Sequence, residues 1–272
     1  MKKKCVSLFF GMLLGVSTAT AIAAAPTTAT IKAGTYPSYP PLDMRDTATN
    51  ELTGFDIELG ESLAKRVGQP LTWVETNYAE LIAATKTGRV DIFFNGMFDT
   101  PEREQQISFV DYLRSGSQFV GMAGGSFKTA ESLCGKRIGI SRITSAPAEL
   151  VNWNAAVCAK KNLPAAIYVP AENSTDARMQ MKQGRVDAVF MDSLTIPYII
   201  SQDKTLAMIG EPVEYTRMGI GVAKGQEALG QKIGKALQAM IDDGSYAKLM
   251  DKWGLPKTSA LQKVLINNKE AL

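Results

Sequence analysis

The apolar residues of this chain change period in a repeated way. Over 80–96, "ELIAATKTGRVDIFFNG", they recur at helical spacing, stop at Gly88 and resume as the run "VDIFF". Over 176–193, "DARMQMKQGRVDAVFMDS", the same succession occurs around Gly184, with "VDAVF" as the run. Each pattern predicts a helix closed by a glycine cap and followed by a strand. Nearly continuous apolar runs suit strands of a parallel sheet covered on both faces. Further strands are predicted at 30–36, 71–75, 136–141, 166–170 and 218–224, and helices at 55–68, 145–161 and 227–244. Such alternation predicts an α/β fold with parallel sheets. The related units lie 96 positions apart, which predicts two α/β lobes. Segments 117–125 and 212–222 are candidate crossings between them. Lobe 1 is then 24–116 plus 213–272, and lobe 2, 117–212, is inserted within it.

The amino end departs from this pattern. "MKKKCVSLFFGMLLGVSTATAIAAAP" places three lysines before an apolar stretch and small residues after it. This is the layout of a secretory signal peptide, too short to span a bilayer, with cleavage expected after Ala23. The expected product is exported, soluble and periplasmic. Of the 30 basic residues three fall in segment 1–23, leaving 27 against 27 acidic ones and a net charge of zero. A nucleic-acid or anionic-membrane partner therefore has no electrostatic support. The chain has no histidine, which excludes Ser-His-Asp and Cys-His catalysis and histidine-ligated metals. No metal or cofactor is expected. The two cysteines beyond the signal segment, Cys134 and Cys158, suggest a disulfide worth roughly 3 kcal/mol, with two buried thiols as the alternative.

In open α/β sheets, ligands bind beyond the carboxyl ends of the strands. The first repeated strand ends at Asn95-Gly96-Met97 and leads to "DTPER", where Thr100 and Pro101 read as a helix start. Arg103 then sits in a first turn, where the helix dipole disfavours a cation, so it awaits an anion. The second strand ends at Asp192. A third segment, "SRITSAPAEL", sets Thr144 and Ser145 at a helix N-terminus, a ready anion site. A guanidinium with N–H donors on one side and a carboxylate on the other suits a zwitterion, most simply an α-amino acid. Each residue also has a plainer reading: Arg103 paired with Glu104 or Asp99, Asp192 as a helix N-cap, Thr144 and Ser145 as caps. Tyr36 and Tyr39 in "TYPSYPP", with Tyr78 and Phe98, offer flat walls for a ligand stem or a cation, or else core packing.

The segments "YPSYPPLDMRDTATNELTGFDIELGESLAKRVG", "GRVDIFFNGMFDTPERE", "ENSTDARMQMKQGRVDAVFMDS" and "DDGSYAKLMDKWG" resemble, in order, the extracytoplasmic solute-binding proteins of polar amino-acid ABC importers. The resemblance runs from about residue 30 to about 256. It implies a two-lobed, type II-like periplasmic-binding-protein (Venus-flytrap) fold with two chain crossings at the hinge. By position, Arg103 resembles the family's carboxylate-binding arginine, with Thr144 and Ser145 completing that pocket. Asp192 resembles the aspartate that receives the α-ammonium, the Asn95 and Gly96 backbone lines the site, and Tyr39 and Tyr78 sandwich the ligand stem.

Three positions depart from the family pattern. Phe98 stands where relatives usually carry a Thr or Ser, Ile143 where many have Gly, and Tyr36 where many have an acid. These changes predict a more apolar and aromatic pocket. The expected function is capture of an amino acid or similar zwitterion and its delivery, by a monomer, to an ABC-transporter permease. The alternatives are a lyase resembling cyclohexadienyl dehydratase, with Asp99 and Glu75 as candidate acid and base, and a ligand-sensing module without transport.

Overall fold

Glycine closes both repeated helices. Gly88 and Gly184 take φ of 73° and 71°, a left-handed conformation that costs a residue without Cβ little. Three residues on, an aspartate fastens each following strand. Asp91 Oδ2 accepts Lys32 N, and Asp187 Oδ2 accepts Arg137 N, both at 2.8 Å.

The computed structural model describes residues 1, 29–267 and 269–270, so the expected signal peptide lies, from residue 2 on, outside the described residues. The first half of the chain forms β1 (Ile31–Thr35), β2 (Met44–Arg45), β3 (Leu52–Thr53), α1 (Phe55–Val67), β4 (Leu71–Glu75), α2 (Leu81–Lys86), β5 (Ile92–Phe93), α3 (Pro101–Glu104) and β6 (Ser108–Met122). Then come β7 (Arg137–Ser141), α4 (Ala146–Trp153), β8 (Ile167–Ala171), α5 (Ser174–Lys182), β9 (Ala188–Asp192) and α6 (Ile196–Gln202). The chain closes with β10 (Leu206–Val222), α7 (Glu227–Asp242), α8 (Ser245–Lys252), β11 (Leu265–Ile266) and β12 (Lys269–Glu270).

Two parallel groups result, β4-β1-β5 and β9-β7-β8. Between them run β6 and β10, antiparallel to one another, so the sheet order is β4-β1-β5-β10-β6-β9-β7-β8. Each group has its own core. Leu59, Phe94, Tyr112 and Ile220 centre one, with Leu81, Phe93 and Phe109 below; Phe119, Trp153 and Phe190 centre the other, with Met181, Val189 and Ile196 beside them. Burial of each such side chain stabilises by about 1.5–3 kcal/mol. The fold is therefore two-lobed, with the lobes joined by a ribbon of two long strands.

Those long strands extend well beyond the segments expected to cross. β6 begins nine residues before 117, and β10 begins six before 212. Asp111, Ser115, Ser117 and Gln118 are buried polar residues in β6, and they interrupt the apolar pattern that would reveal a strand. Register shifts in β10 fall between Ile209 and Val213, Val213 and Thr216, and Met218 and Gly219, where the ribbon passes between lobes. The helix expected over 145–161 is α4 continued by a π turn over 154–158 and a tighter turn over 159–161. Cys158, in the π turn, is disulfide-bonded to Cys134. The helix expected over 227–244 stops at Asp242, and Gly244 (φ 76°) turns the chain into α8. The Tyr246 hydroxyl of α8 donates to the Tyr112 carbonyl in the first core.

Candidate ligand-binding site

The strand ends of both lobes open onto one cavity of about 590 Å³. On the side of the first lobe, β1 runs into a loop folded back on itself. Tyr39 N donates to the Asp43 carbonyl (2.8 Å), Leu42 N donates to the Tyr39 carbonyl (2.9 Å), and Thr35 Oγ1 donates to Asp43 Oδ1 (2.5 Å). These bonds hold the Tyr39 ring over the end of β5. There the backbone turns sharply, with φ of 144° at Asn95 and 56° at Gly96.

A buried network fixes that turn. Asn95 Nδ2 donates to the Tyr36 carbonyl (3.0 Å) and Gly96 N donates to the Tyr112 hydroxyl (3.0 Å). The hydroxyl in turn donates to Asp56 Oδ2 at 2.9 Å. Burial raises the pKa of both Asp43 and Asp56, and the neighbouring Asp43 carboxyl raises that of Asp56 further. Both shifts favour the neutral carboxyl, as expected for two acids buried side by side. Gly96 itself has no room for a side chain, since a Cβ would stand 2.4 Å from Tyr39 Cε1.

Phe98 follows, 8% exposed and bridged to Met218 of β10. Its carbonyl accepts one guanidinium nitrogen of Arg103 at 2.8 Å. Arg103 is half-buried and lies beside Tyr78, whose hydroxyl pKa burial raises and Arg103 lowers. The Arg103 side chain is thus held by the Phe98 carbonyl beside Tyr78 and is not among the residues that line the cavity.

From the second lobe, β7 leads into the turn before α4. The Thr144 hydroxyl donates to the Ser141 carbonyl (3.1 Å) and accepts Ala146 N (3.3 Å), while the Ser145 hydroxyl donates to Glu149 Oε1 (2.7 Å). The Thr144 hydroxyl thus bonds the backbone at the start of α4, whereas the Ser145 hydroxyl is engaged by the Glu149 side chain. Asp192 ends β9 opposite Tyr39. Its Oδ1 accepts Leu194 N at 2.8 Å, a cap-like bond ahead of α6. Its Oδ2 is buried without a hydrogen-bond partner, while the Tyr39 and Ser115 hydroxyls lie close to the carboxylate and favour its charged form. Burial pushes the Asp192 carboxyl up to about 7.

Of the nominated residues, Tyr39, Tyr78, Asn95, Gly96, Phe98, Thr144, Ser145 and Asp192 line this one cavity, as do Tyr36 and Ile143; Arg103 does not. Ser117, Asp176, Arg178 and Met179 also line it and were not nominated. The last three belong to α5, whose amino end is set by Asn173 Oδ1 accepting Asp176 N at 3.0 Å. The signal was present in "ENSTD", a helix start at the carboxyl end of β8, like "SRITSAP" after β7. Asp99 and Glu75, the acids a lyase would need, are not in the lining: Asp99 is buried against Asp111, and Glu75 pairs at the surface with Arg45.

Comparison with known proteins agrees with this arrangement. The family model "Bacterial extracellular solute-binding proteins, family 3" matches residues 31–256. A putative ABC transporter arginine-binding protein of Escherichia coli (strain K12) is 31% identical over 230 residues, covering 82% of this chain and 90% of that one. A histidine-binding periplasmic protein of Salmonella typhimurium is 31% identical over 265 residues, covering 93% and 97%. The structure of an ancestral arginine-binding protein bound to arginine superposes with a TM-score of 0.73 at 29% identity, covering 84% of this chain and 99% of that one. With the family model spanning both lobes and the cavity between them, this chain belongs to the family 3 bacterial extracellular solute-binding proteins.

Proposed function

We propose that the protein captures an amino acid, or an amino-acid-like zwitterion, in the cleft between its lobes and delivers it to the permease of an ABC importer. The observation that carries this reading is Asp192, a buried carboxylate with an unpartnered oxygen, set beside Tyr39 of the aromatic wall from the other lobe. Such a carboxylate is costly unless a cation joins it. Relatives named for arginine and histidine support the amino-acid class. Arg103 is the carboxylate receptor: its guanidinium exchanges the Phe98 carbonyl for the ligand, and the Thr144 and Ser145 N–H groups at the start of α4 complete the pocket. Tyr39, Tyr78, Phe98 and the Asn95–Gly96 turn enclose the stem.

The lobes divide at the ribbon, 24–116 plus 213–272 against 117–212. A ligand that touches both lobes favours the closed arrangement by its differential affinity, and that closed shape is what the permease recognises. The protein works in the periplasm as a monomer after loss of residues 1–23, without a catalytic step.

A thermal-shift screen of the mature protein, freed of ligand, tests this. At 100 times its dissociation constant a ligand stabilises by about 2.7 kcal/mol. One zwitterion should raise the melting temperature, and Arg103→Ala and Asp192→Ala should each remove the shift. If no carboxylate-bearing compound shifts the protein, the reading fails.

A further inference from the structure

Several backbone carbonyls around the cavity are taken by the protein itself, and two side-chain acceptors, Asn95 Oδ1 and Asp192 Oδ2, are unpartnered but covered from solvent. The carbonyls of Tyr36, Tyr39, Phe98, Ser141 and Asp192 each accept a donor from this chain. Asp192 has one oxygen on Leu194 N, and its other oxygen is covered from solvent, with the Tyr39 and Ser115 hydroxyls close to the carboxylate. Its charge therefore reaches the cavity more readily than its lone pairs do. A primary ammonium brings three N–H donors, each of which needs an acceptor once buried. What the first lobe presents instead is ring surface: Tyr39, Tyr78 and Phe98 from three separate segments, with Tyr36 at the side. Ring faces attract a cation without taking up hydrogen bonds, and they suit cations whose N–H groups are replaced by carbon.

We propose that the ligand is a zwitterion with an N-substituted cationic centre, of the betaine type, held against Tyr39, Tyr78 and Phe98 and neutralised through space by Asp192. Phe98 is the residue that sets this specificity. It closes the wall beside Met218, and its side chain offers no acceptor to an ammonium. This inference rests on the proposed capture of a zwitterion and narrows its cation.

The test is an N-methyl ladder titrated calorimetrically into the mature protein: proline, N-methylproline and N,N-dimethylproline, with glycine through trimethylglycine as a smaller series and L-arginine and L-glutamine as unmodified controls. Affinity should rise with each methyl group, by about tenfold or more across a ladder. Phe98→Ser should reverse the order, weakening the fully methylated compound and strengthening the primary or secondary amine. Phe98→Leu keeps the apolar bulk, and so guards against loss of folding. It should weaken the methylated compound by about tenfold without helping the amine. If an unmodified amino acid binds more tightly than every methylated compound, this inference falls while zwitterion capture stands. If no member of either ladder and neither control binds, both fall.

Discussion

The two "GRVD" units make the same helix stop and the same strand start, and then diverge at one position. Five residues after Asp91 stands Gly96, and five after Asp187 stands Asp192. In one lobe that position has no side chain, and the ring of Tyr39 takes up the space. In the other it bears a carboxylate that reaches toward the hydroxyl of the same Tyr39. A duplicated frame has thus been used once to give a surface and once to give a charge. The entries to the strands differ too. Arg137 adds a side-chain pair to Asp187 (3.0 Å), whereas Lys32 Nζ reaches only the Gly88 carbonyl (3.3 Å). The charge-bearing unit is the more heavily braced.

Removing that charge tests the contrast most severely. Asp192→Asn should weaken the native ligand by about 2–5 kcal/mol, at least thirtyfold, because the ligand's cation loses its buried partner; isothermal titration reads it. An unchanged affinity would mean that the two strand ends are equivalent after all. Next comes the disulfide, which lies wholly in the second lobe. Cys134→Ser with Cys158→Ser should cost about 3 kcal/mol in that lobe's denaturant stability, by the chain entropy of the loop it closes. The first lobe's transition should stay in place.

The pH dependence follows from the folded-state value of about 7 at Asp192, above its ordinary 3.8. The folded protein holds this proton more tightly than the unfolded chain. The group's stabilising contribution is therefore full below about 4 and is lost as pH rises to about 7. Ligand binding runs the other way, since a cation needs the anion. Affinity for a permanently charged ligand should rise about tenfold per pH unit up to about 7 and then level off. Asp192→Asn should flatten that profile. The smallest effect expected is at the braces. Asp187→Ala should lower stability by about 1–2 kcal/mol and Asp91→Ala by about 1, with the screening of exposed pairs keeping both modest.

Much of this was legible in the sequence because the frame is local. Gly88 and Gly184 announce their helix ends, and the runs "VDIFF" and "VDAVF" announce the strands, so the lobes and the positions of Asn95, Gly96 and Asp192 follow. What stayed hidden depends on distant pairing. The length of β6 is masked by Asp111, Ser115, Ser117 and Gln118, which are buried because of β10 across from them. Asp99 likewise gives no sign in sequence that Asp111 stands against it and that its carboxyl is pushed up to about 9. The α5 side of the cavity was missed because "ENSTD" reads first as an ordinary cap. Arg103 was placed in the correct turn, but which way its long side chain leaves that turn depends on Phe98 and Tyr78, not on spacing.

The close approach of Gly96 and Tyr39 also sets an order for any retuning of the site. No substitution at Gly96 fits while the Tyr39 ring lies where a Cβ would go, and the backbone there disfavours a side chain in any case. Tyr39, by contrast, can be made smaller with Gly96 unchanged. A path toward a new ligand, taken by selection or by a laboratory library, must therefore pass through Tyr39 first. Libraries that vary Gly96 alone will return only the starting glycine.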